Sequence, residues 1–129
     1  MLVVIDTNIL VSSLWSKNGL PAKFISLVLN GEIVPCYDYR IFQEYKNVLS
    51  RPKFRFSKSE INGLLDWISE IGVSVVAKPT KENFTDEADK KFFEVAKCSH
   101  ALLVTGNIKH FPKSDFVITV NDFFEKYNN

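Results

Sequence analysis

The sequence predicts an α/β fold, in which a central, mainly parallel sheet lies between layers of helices. Short apolar runs rich in β-branched residues alternate with amphipathic stretches along all 129 residues, and this alternation is typical of strands separated by helices. No internal repeat, low-complexity tract or Pro/Gly/Ser-rich linker interrupts it. At this length one domain is the expected organisation. We therefore expect residues 1–129 to form a single three-layer α/β/α domain.

Five short runs are predicted to form the strands. They are too short for helices and largely apolar at consecutive positions, as in strands that are covered on both faces. In chain order they cover residues 2–5, 33–36, 73–77, 101–104 and 116–120.

The helices are predicted from their periodicity and their end signals. The first covers residues 7–14, the second has Pro21 in its first turn and ends at Gly31, and the third is capped by Asp38 and ends before Pro52. The spacing of Ser57 and Glu60 is that of a capping box for a fourth helix, which ends at Gly72. Thr85 or Asp86 begins the fifth, and Asn121 is the expected cap of a last helix over residues 122–127.

Composition excludes several classes of protein. Apolar residues make up 46% of the chain and charged residues 24%, which is typical of a soluble globular domain. No apolar run approaches the roughly 20 residues of a membrane span, and no basic segment precedes Leu2, so we expect no secretory signal. With only two cysteines, a reduced cytoplasmic setting is expected. The formal charge is +1, so affinity for nucleic acid requires a local basic patch.

Polar residues directly follow two of the predicted strands. Asp6-Thr7-Asn8 follows the first strand, and Thr105-Gly106-Asn107 follows the fourth. Ligands of parallel α/β sheets bind beyond the carboxyl ends of the strands, so both tripeptides are candidate site segments. Asp6 has two interpretations at this stage: a plain cap of the first helix, or a carboxylate of a functional site.

Three further acids are candidates. Asp89 shares the apolar face of the fifth helix with Phe92 and Phe93, so its carboxylate needs a partner, either a metal ion or a structural cation or amide. Glu44 lies at the border of the apolar face of the third helix, where it either reaches into a cleft or is solvated. Asp86 is first of all a helix cap, with a secondary role in the acid cluster as an alternative.

Carboxylates that come from separate segments favour a site for Mg²⁺ or Mn²⁺, which prefer oxygen ligands. A zinc site is disfavoured because the cysteines and histidines lack the usual ligand spacings. No P-loop or G-x-G-x-x-G motif is present, and the first strand is followed by D-x-N rather than the D-x-D of aspartyl phosphotransferases.

These residues together resemble the PIN-domain ribonucleases, and most closely their prokaryotic toxin branch, the VapC-like proteins of toxin–antitoxin pairs. The resemblance rests on Asp6-Thr7-Asn8, on Glu44, on Asp89 ahead of Phe-Phe-Glu-Val-Ala at 92–96, and on Leu-Val-Thr-Gly-Asn at 103–107. It extends from residue 1 to about residue 125 and includes the run Ile-Thr-Val-Asn-Asp-Phe-Phe-Glu at 118–125.

The resemblance implies a five-stranded sheet of order 3-2-1-4-5, with Asp6 and the Thr105 loop facing each other across one crevice. It implies that Asp6, Asp89 and Glu44 hold Mg²⁺ or Mn²⁺, and that Asn8 and Thr105 position the acids, the water or the phosphate. The implied reaction is hydrolysis of RNA that leaves a 5′-phosphate, and the implied partners are a cognate antitoxin and a second copy of the chain. In one departure from the family pattern, Asn107 and His110 stand where further acids are common, which puts a second metal ion in doubt.

The densest basic stretch lies between the third and fourth helices. Arg51, Lys53, Arg55 and Lys58 alternate there with two phenylalanines, which suits contact with single-stranded RNA. The alternative is a solvated loop whose rings return to the core. Lys109 lies beside the expected crevice and is a further candidate for contact with phosphate. A domain of the same fold that binds RNA or a partner without cleaving remains the alternative function.

Overall fold

The central sheet has five strands, and all its neighbouring pairs are parallel. The computed structural model of the protein describes residues 1–127, so the last two residues of the expected domain lie outside it. The strands are β1 (Leu2–Ile5), β2 (Val34–Tyr37), β3 (Val73–Ser74), β4 (Leu102–Thr105) and β5 (Val117–Thr119). Their order is β3-β2-β1-β4-β5, which confirms the fold class and the strand order expected from the resemblance.

Within residues 1–127, five α-helices lie between strands and a sixth follows β5. They are α1 (Thr7–Trp15), α2 (Leu20–Leu29), α3 (Tyr39–Leu49), α4 (Lys58–Ile71), α5 (Glu87–Ser99) and α6 (Val120–Tyr127). Two short 3-10 helices cover Pro52–Phe54 and Ile108–His110. Within residues 1–127, none of the helices is both long and apolar enough to cross a membrane.

Three of the predicted helix caps are confirmed. The side chain of Asp38 accepts a hydrogen bond from the Ile41 amide at 2.9 Å, and that of Ser57 accepts one from the Glu60 amide at 3.1 Å. Asp86 accepts one from the Ala88 amide at 2.9 Å. Each cap satisfies an amide that has no partner within its own helix.

The last helix begins differently from the prediction. It starts at Val120, and the hydroxyl of Thr119 accepts the Asp122 amide at 3.0 Å. Thr119 therefore takes the place that was predicted for Asn121. A threonine hydroxyl is as suitable for this role as an asparagine amide oxygen, so composition alone does not distinguish the two positions.

The third strand is shorter and more exposed than predicted. Only Val73 and Ser74 form it, both are exposed, and Val76 is fully solvated. The prediction of a strand over residues 73–77 that is covered on both faces is therefore wrong. The reason is that β3 lies at the edge of the sheet and its partner β2 ends at Tyr37, whose carbonyl accepts the Val75 amide at 2.9 Å.

The core lies on both faces of the two central strands. Val3, Val4 and Ile5 of β1 are fully buried, as are Leu103 and Val104 of β4. Because β1 and β4 are neighbours with Ile5 opposite Val104, the residues that follow them emerge side by side at one edge of the sheet. This edge carries the candidate site.

Candidate active site

Asp6 and Thr105 meet directly at the carboxyl ends of the two central strands. Asp6 is 6% exposed and Thr105 is fully buried. The Thr105 hydroxyl donates to Oδ2 of Asp6 at 2.6 Å, and the Asp6 amide donates to the Val104 carbonyl at 3.0 Å. The parallel pairing of β1 and β4 thus fixes the carboxylate although 99 residues separate it from its hydroxyl partner.

The plain helix-cap interpretation of Asp6 does not hold. Asp6 occupies the N-cap position of α1, but its side chain makes no capping hydrogen bond. Its carboxylate faces Thr105 instead, and the amide of Asn8 lies near enough to favour its charged form. Asp6 is therefore a buried carboxylate at the edge of the sheet.

Glu44 reaches the same place from α3. The Thr7 hydroxyl donates to its Oε2, and the ammonium of Lys91 lies 2.7 Å from its Oε1. The helix is held over the end of β1 by Tyr45, whose buried hydroxyl donates to the Ile5 carbonyl at 2.5 Å. These contacts exclude the interpretation of Glu44 as a solvated helix glutamate.

Asp89 comes from the first turn of α5, and its side chain is 17% exposed. Nδ1 of His110 lies 3.5 Å from its Oδ2, which is longer than a good hydrogen bond. Nε2 of His110 lies 2.8 Å from the side-chain amide of Asn107, whose backbone amide donates to the Thr105 hydroxyl at 3.0 Å. The loop after β4 therefore connects Thr105 to Asp89 through Asn107 and His110.

The acids lie near enough to one another for their charges to interact. Burial raises the pKa of Asp6 above its ordinary value; the Thr105 hydrogen bond opposes this, and the charges of Asp89 and Glu44 add to it. Burial also raises the pKa of Asp89, and the charge of Asp86 adds to that effect. Such repulsion between neighbouring carboxylates is relieved by a cation.

Lys91 is the functional candidate that the sequence did not reveal. Its side chain is 13% exposed, and its ammonium donates to the Ala88 carbonyl at 2.5 Å as well as pairing with Glu44. Its positive charge lowers the pKa of Asp89. Side chains two positions apart on a helix point in directions that differ by about 200°. The helical spacing of Asp89 and Lys91 therefore did not predict that Lys91 reaches the acids.

The donor set fits a hard divalent cation. Asp6, Glu44 and Asp89 offer carboxylate oxygens from three elements, and Mg²⁺ and Mn²⁺ prefer such ligands. Among residues 1–127 no group of three or more His, Cys, Asp or Glu side chains is close enough to hold an ion as it stands. Magnesium commonly binds through one or two carboxylates and retains several waters, so a complete protein cage is not required.

Two clefts flank the acids. The larger, of about 550 Å³, lies on the Glu44 side and includes Lys90 and Lys91 in its lining. The smaller, of about 260 Å³, lies on the Thr105 side and includes the exposed Asn8. The candidate crevice is therefore open to a ligand from both directions.

An ion network between the exposed Arg40 and two buried acids supports the wall of the larger cleft. Arg40 lies 2.7 Å from Asp38 and 2.8 Å from Glu94. Glu94 is 4% exposed and also accepts the Thr80 amide at 2.7 Å. The network ties α3, α5 and the segment before α5 together, and no sequence pattern predicted it.

The predicted RNA-contacting residues do not all lie at the crevice. Lys109 is exposed in the 3-10 helix beside His110, next to the acids. The other four, Arg51, Lys53, Arg55 and Lys58, are exposed between α3 and α4. Because Arg51 lies seven residues beyond Glu44 in the direction of α3, this basic segment is separated from the acids by about two helical turns.

Comparison with known proteins agrees with this architecture. Residues 2–109 match the family model of the PIN domain. The uncharacterized protein MJ1680 of Methanocaldococcus jannaschii is 36% identical over 109 residues, which cover 81% of this chain and 70% of that protein. A chain in the crystal structure of VapBC2 from Rickettsia felis, bound to a DNA fragment from their promoter, matches with a TM-score of 0.61 and 19% identity over 92% of this chain and 97% of its own length. The chain therefore belongs to the PIN-domain family, as its resemblance implied.

Proposed function

We propose that the protein is a Mg²⁺- or Mn²⁺-dependent endoribonuclease, in which residues 1–129 form one catalytic domain. The observation that carries this proposal is the convergence of Asp6, Glu44 and Asp89 at the carboxyl ends of β1 and β4, where their charges are coupled. PIN domains are typically nucleases that use divalent metals. The family and the acid cluster therefore support the same kind of chemistry.

In this proposal Asp6, Asp89 and Glu44 hold the ion, with Asp86 as an additional candidate. When bound, the ion would lower the pKa of a water, which makes that water a better nucleophile, and would offset negative charge on the reacting phosphate. The hydroxyl of Thr105 holds Asp6 in place. The hydroxyl of Thr7 and the ammonium of Lys91 hold Glu44. These contacts fix the carboxylates before the substrate arrives, which reduces the cost of organising them in the transition state.

The reaction is hydrolysis of an RNA phosphodiester. The oxygen of a water attacks phosphorus in line, the bond from phosphorus to the 3′ oxygen breaks, and the departing oxygen takes up a proton. The products carry a 5′-phosphate and a 3′-hydroxyl. Asn8, which is exposed in the cleft beside Thr105, is placed to orient the scissile phosphate through its amide.

Cleavage of a single-stranded RNA in the presence of Mn²⁺ tests the proposal. Wild type is compared with Asp6→Asn, Glu44→Gln and Asp89→Asn, and with Asp66→Asn as a control, because Asp66 is exposed on α4 away from the cluster. We expect the three cluster variants to lose at least about a hundredfold in rate, within the range for removed electrostatic stabilisation, and the control to match wild type. Equal cleavage by all five proteins would contradict the assignment.

A second candidate function is an RNA- or partner-binding domain without cleavage. Two observations favour it: Lys91 already neutralises part of the acid cluster, and Asn107 and His110 stand where acids are common in the family. Under this alternative the protein binds RNA in metal-free buffer, and addition of Mn²⁺ yields no product with a 5′-phosphate.

We further propose that the nuclease is the toxin of a toxin–antitoxin pair and forms a homodimer. The supporting observation is that a chain of VapBC2, which was crystallised with promoter DNA, shares this fold. Purification with the product of a neighbouring gene, followed by the cleavage assay, tests this role. An antitoxin suppresses cleavage when it is added in equal amount, whereas an unrelated neighbour leaves the rate unchanged.

A further inference from the structure

We infer that Trp15, Phe54 and Phe56 form a platform on which unpaired RNA bases stack. This set of residues is called the Trp15 platform below. The inference deepens the proposed function, on which it rests, because it locates a second contact for single-stranded RNA outside the acid crevice.

The three rings form one connected surface cluster. The centroids of Phe54 and Phe56 are 5.4 Å apart with their planes within 9° of parallel, and Trp15 meets them nearly at right angles at 5.8 and 6.2 Å. Phe56 packs against the core and anchors the cluster. Trp15 remains 63% exposed although it contacts both phenylalanines, so much of its indole is available to a ligand.

The turn that presents the phenylalanines is strained. Arg55 has a left-handed backbone with φ 56°, and its amide donates to the Pro52 carbonyl at 3.2 Å. This left-handed conformation is disfavoured for a residue with a side chain. Its effect is to reverse the chain between Phe54 and Phe56 so that the two rings stack side by side at the surface.

The platform is surrounded by positive charge. Lys53 lies over the Phe54 ring with its ammonium 5.1 Å from the centroid. Residues 51–58 carry four cations and no acid, and the first acid after them, Glu60, is paired with Lys17 at 3.0 Å. Since the whole chain has a formal charge of only +1, the rest of the protein is net negative. Positive charge is therefore concentrated beside the exposed Trp15 ring and the half-buried rings of Phe54 and Phe56.

This combination favours single-stranded RNA over other ligands. Stacking on aromatic side chains beside cations is the usual way in which unpaired bases are bound without sequence preference. Duplex RNA keeps its bases within the helix and offers no free base face. An acidic protein segment would be attracted by the same cations, but it would gain nothing specific from stacked rings.

The position of the platform fits a strand that also enters the crevice. α1 begins at Thr7, which contacts Glu44, and ends at Trp15. At 1.5 Å per residue these two ends are about 12 Å apart. With a rise of about 3.4 Å for each stacked nucleotide, three to four nucleotides span this distance. RNA shorter than this is therefore expected to lose one of the two contacts.

Binding in metal-free buffer tests the platform separately from cleavage. Fluorescence anisotropy is measured in EDTA with a labelled ten-nucleotide oligoadenylate, with an abasic ribose-phosphate strand of the same length, and with a ten-base-pair RNA duplex. The proteins are wild type, Trp15→Ala, Trp15→Phe and the control Tyr39→Ala, which removes an aromatic ring that is 76% exposed at the start of α3.

We expect Trp15→Ala to weaken binding of the oligoadenylate about 5- to 150-fold, the range that corresponds to the loss of one stacked base. Trp15→Phe keeps most of the affinity, and Tyr39→Ala matches wild type. Wild type binds the abasic strand and the duplex more weakly than the oligoadenylate. Trp15→Ala binds these two ligands with the same affinity as wild type does. Because Trp15 is largely exposed, the melting temperatures of Trp15→Ala and Trp15→Phe should lie within a few degrees of that of wild type.

Three results would overturn the inference. Trp15→Ala could bind the oligoadenylate as tightly as wild type does. It could also lose as much affinity for the abasic strand as for the oligoadenylate, which would leave only an electrostatic contact. Alternatively, a ten-residue polyglutamate peptide could displace the oligoadenylate completely, and Trp15→Ala could lower the affinity for the peptide alone. That result would indicate a protein partner. The proposed function can fail without the platform. In that case wild type does not cleave RNA in Mn²⁺, but Trp15→Ala still binds RNA more weakly than wild type does.

Discussion

The ammonium of Lys91 lies 2.7 Å from Oε1 of Glu44, so a largely buried cation from α5 holds the acid that α3 brings to the end of β1. The other carboxylate oxygen of Glu44 accepts the hydroxyl of Thr7. Glu44 is thus held from both sides, and the positive charge of Lys91 stands next to acids that are expected to bind a divalent ion. This arrangement suggests that Lys91 and the ion compete for the same negative charge.

Replacement of Lys91 by methionine tests that competition. The variant Lys91→Met removes the ammonium and keeps the apolar stem, so we expect Mn²⁺ to bind about tenfold more tightly. Tenfold corresponds to about 1.4 kcal/mol, well within the Coulomb energy of two charges a few ångströms apart near a protein surface. Calorimetric titration with Mn²⁺ measures the affinity.

The matched control is Lys90→Met. Lys90 is the neighbouring lysine, 3.8 Å from the exposed Glu87, and its loss should change Mn²⁺ affinity little because exposed pairs contribute little. Weaker or unchanged Mn²⁺ binding by Lys91→Met would contradict the competition.

Loss of the Thr105 hydroxyl should destabilise the protein. Thr105→Val leaves the Asp6 carboxylate without its donor and the Asn107 amide without its acceptor. An unpaired buried polar group costs about 1–3 kcal/mol. Of the two groups only Asp6 is buried, so we expect a loss in that range. Urea unfolding at pH 7 in EDTA measures it. Thr105→Ser keeps the hydroxyl and should retain most of the stability; equal stability of Thr105→Val and wild type would show that the contact is unimportant.

Asp6 should destabilise the metal-free protein at neutral pH. Its folded-state pKa is raised above the ordinary value of 3.8, mainly by burial. The stabilising contribution of the protonated carboxyl is therefore complete below pH 3.8 and is lost as the pH rises through the raised folded-state pKa. We expect Asp6→Asn, which is neutral at every pH, to be about 0.5–2 kcal/mol more stable than wild type at pH 7, because it places no charge at this buried position.

The measurement is urea unfolding between pH 4 and pH 8 in EDTA. The advantage of Asp6→Asn should shrink as the pH falls toward 4, because wild-type Asp6 then becomes protonated as well. Asp66→Asn serves as the control and should show no such trend. An advantage that stays constant or grows at low pH would be inconsistent with the direction of the pKa shift.

Two glycines of the fourth helix region should respond in opposite ways to alanine. A Cβ on Gly72 would lie 2.4 Å from the Ile68 carbonyl oxygen and 2.8 Å from that of Pro35, so Gly72→Ala should cost about 1–3 kcal/mol, as overpacking does. A Cβ on Gly63 meets nothing within 4 Å, and Gly63→Ala should stabilise the helix by about 0.5–1 kcal/mol. Thermal unfolding of both variants distinguishes them, and two shifts of the same sign would disprove the geometry.

Features that depend on neighbouring residues in the chain were predicted well. The caps at Asp38, Ser57 and Asp86 each involve an amide two or three residues away, so the sequence contains both partners. The third strand was predicted poorly because the pairing of residues 75–77 depends on where β2 ends. The apolar pattern of that segment carries no information about this.

The candidate site was predicted in part for a similar reason. Asp6 and Asp89 were identified from their positions relative to a strand and to an apolar helix face, both of which are local. The pairing of Lys91 with Glu44 joins two helices through long side chains, and helical periodicity does not specify such a contact. The contact of Tyr45 with the Ile5 carbonyl likewise became visible only in three dimensions.

The parallel pairing of β1 with β4 also has a consequence for protein synthesis. Asp6 is among the first residues to leave the ribosome, but its hydroxyl partner at position 105 emerges 99 residues later, which takes about 5–20 s at ordinary rates of translation. Until then the first strand lacks one of its two neighbours, and the carboxylate has nothing to hold it. The candidate site is consequently incomplete until translation is nearly finished.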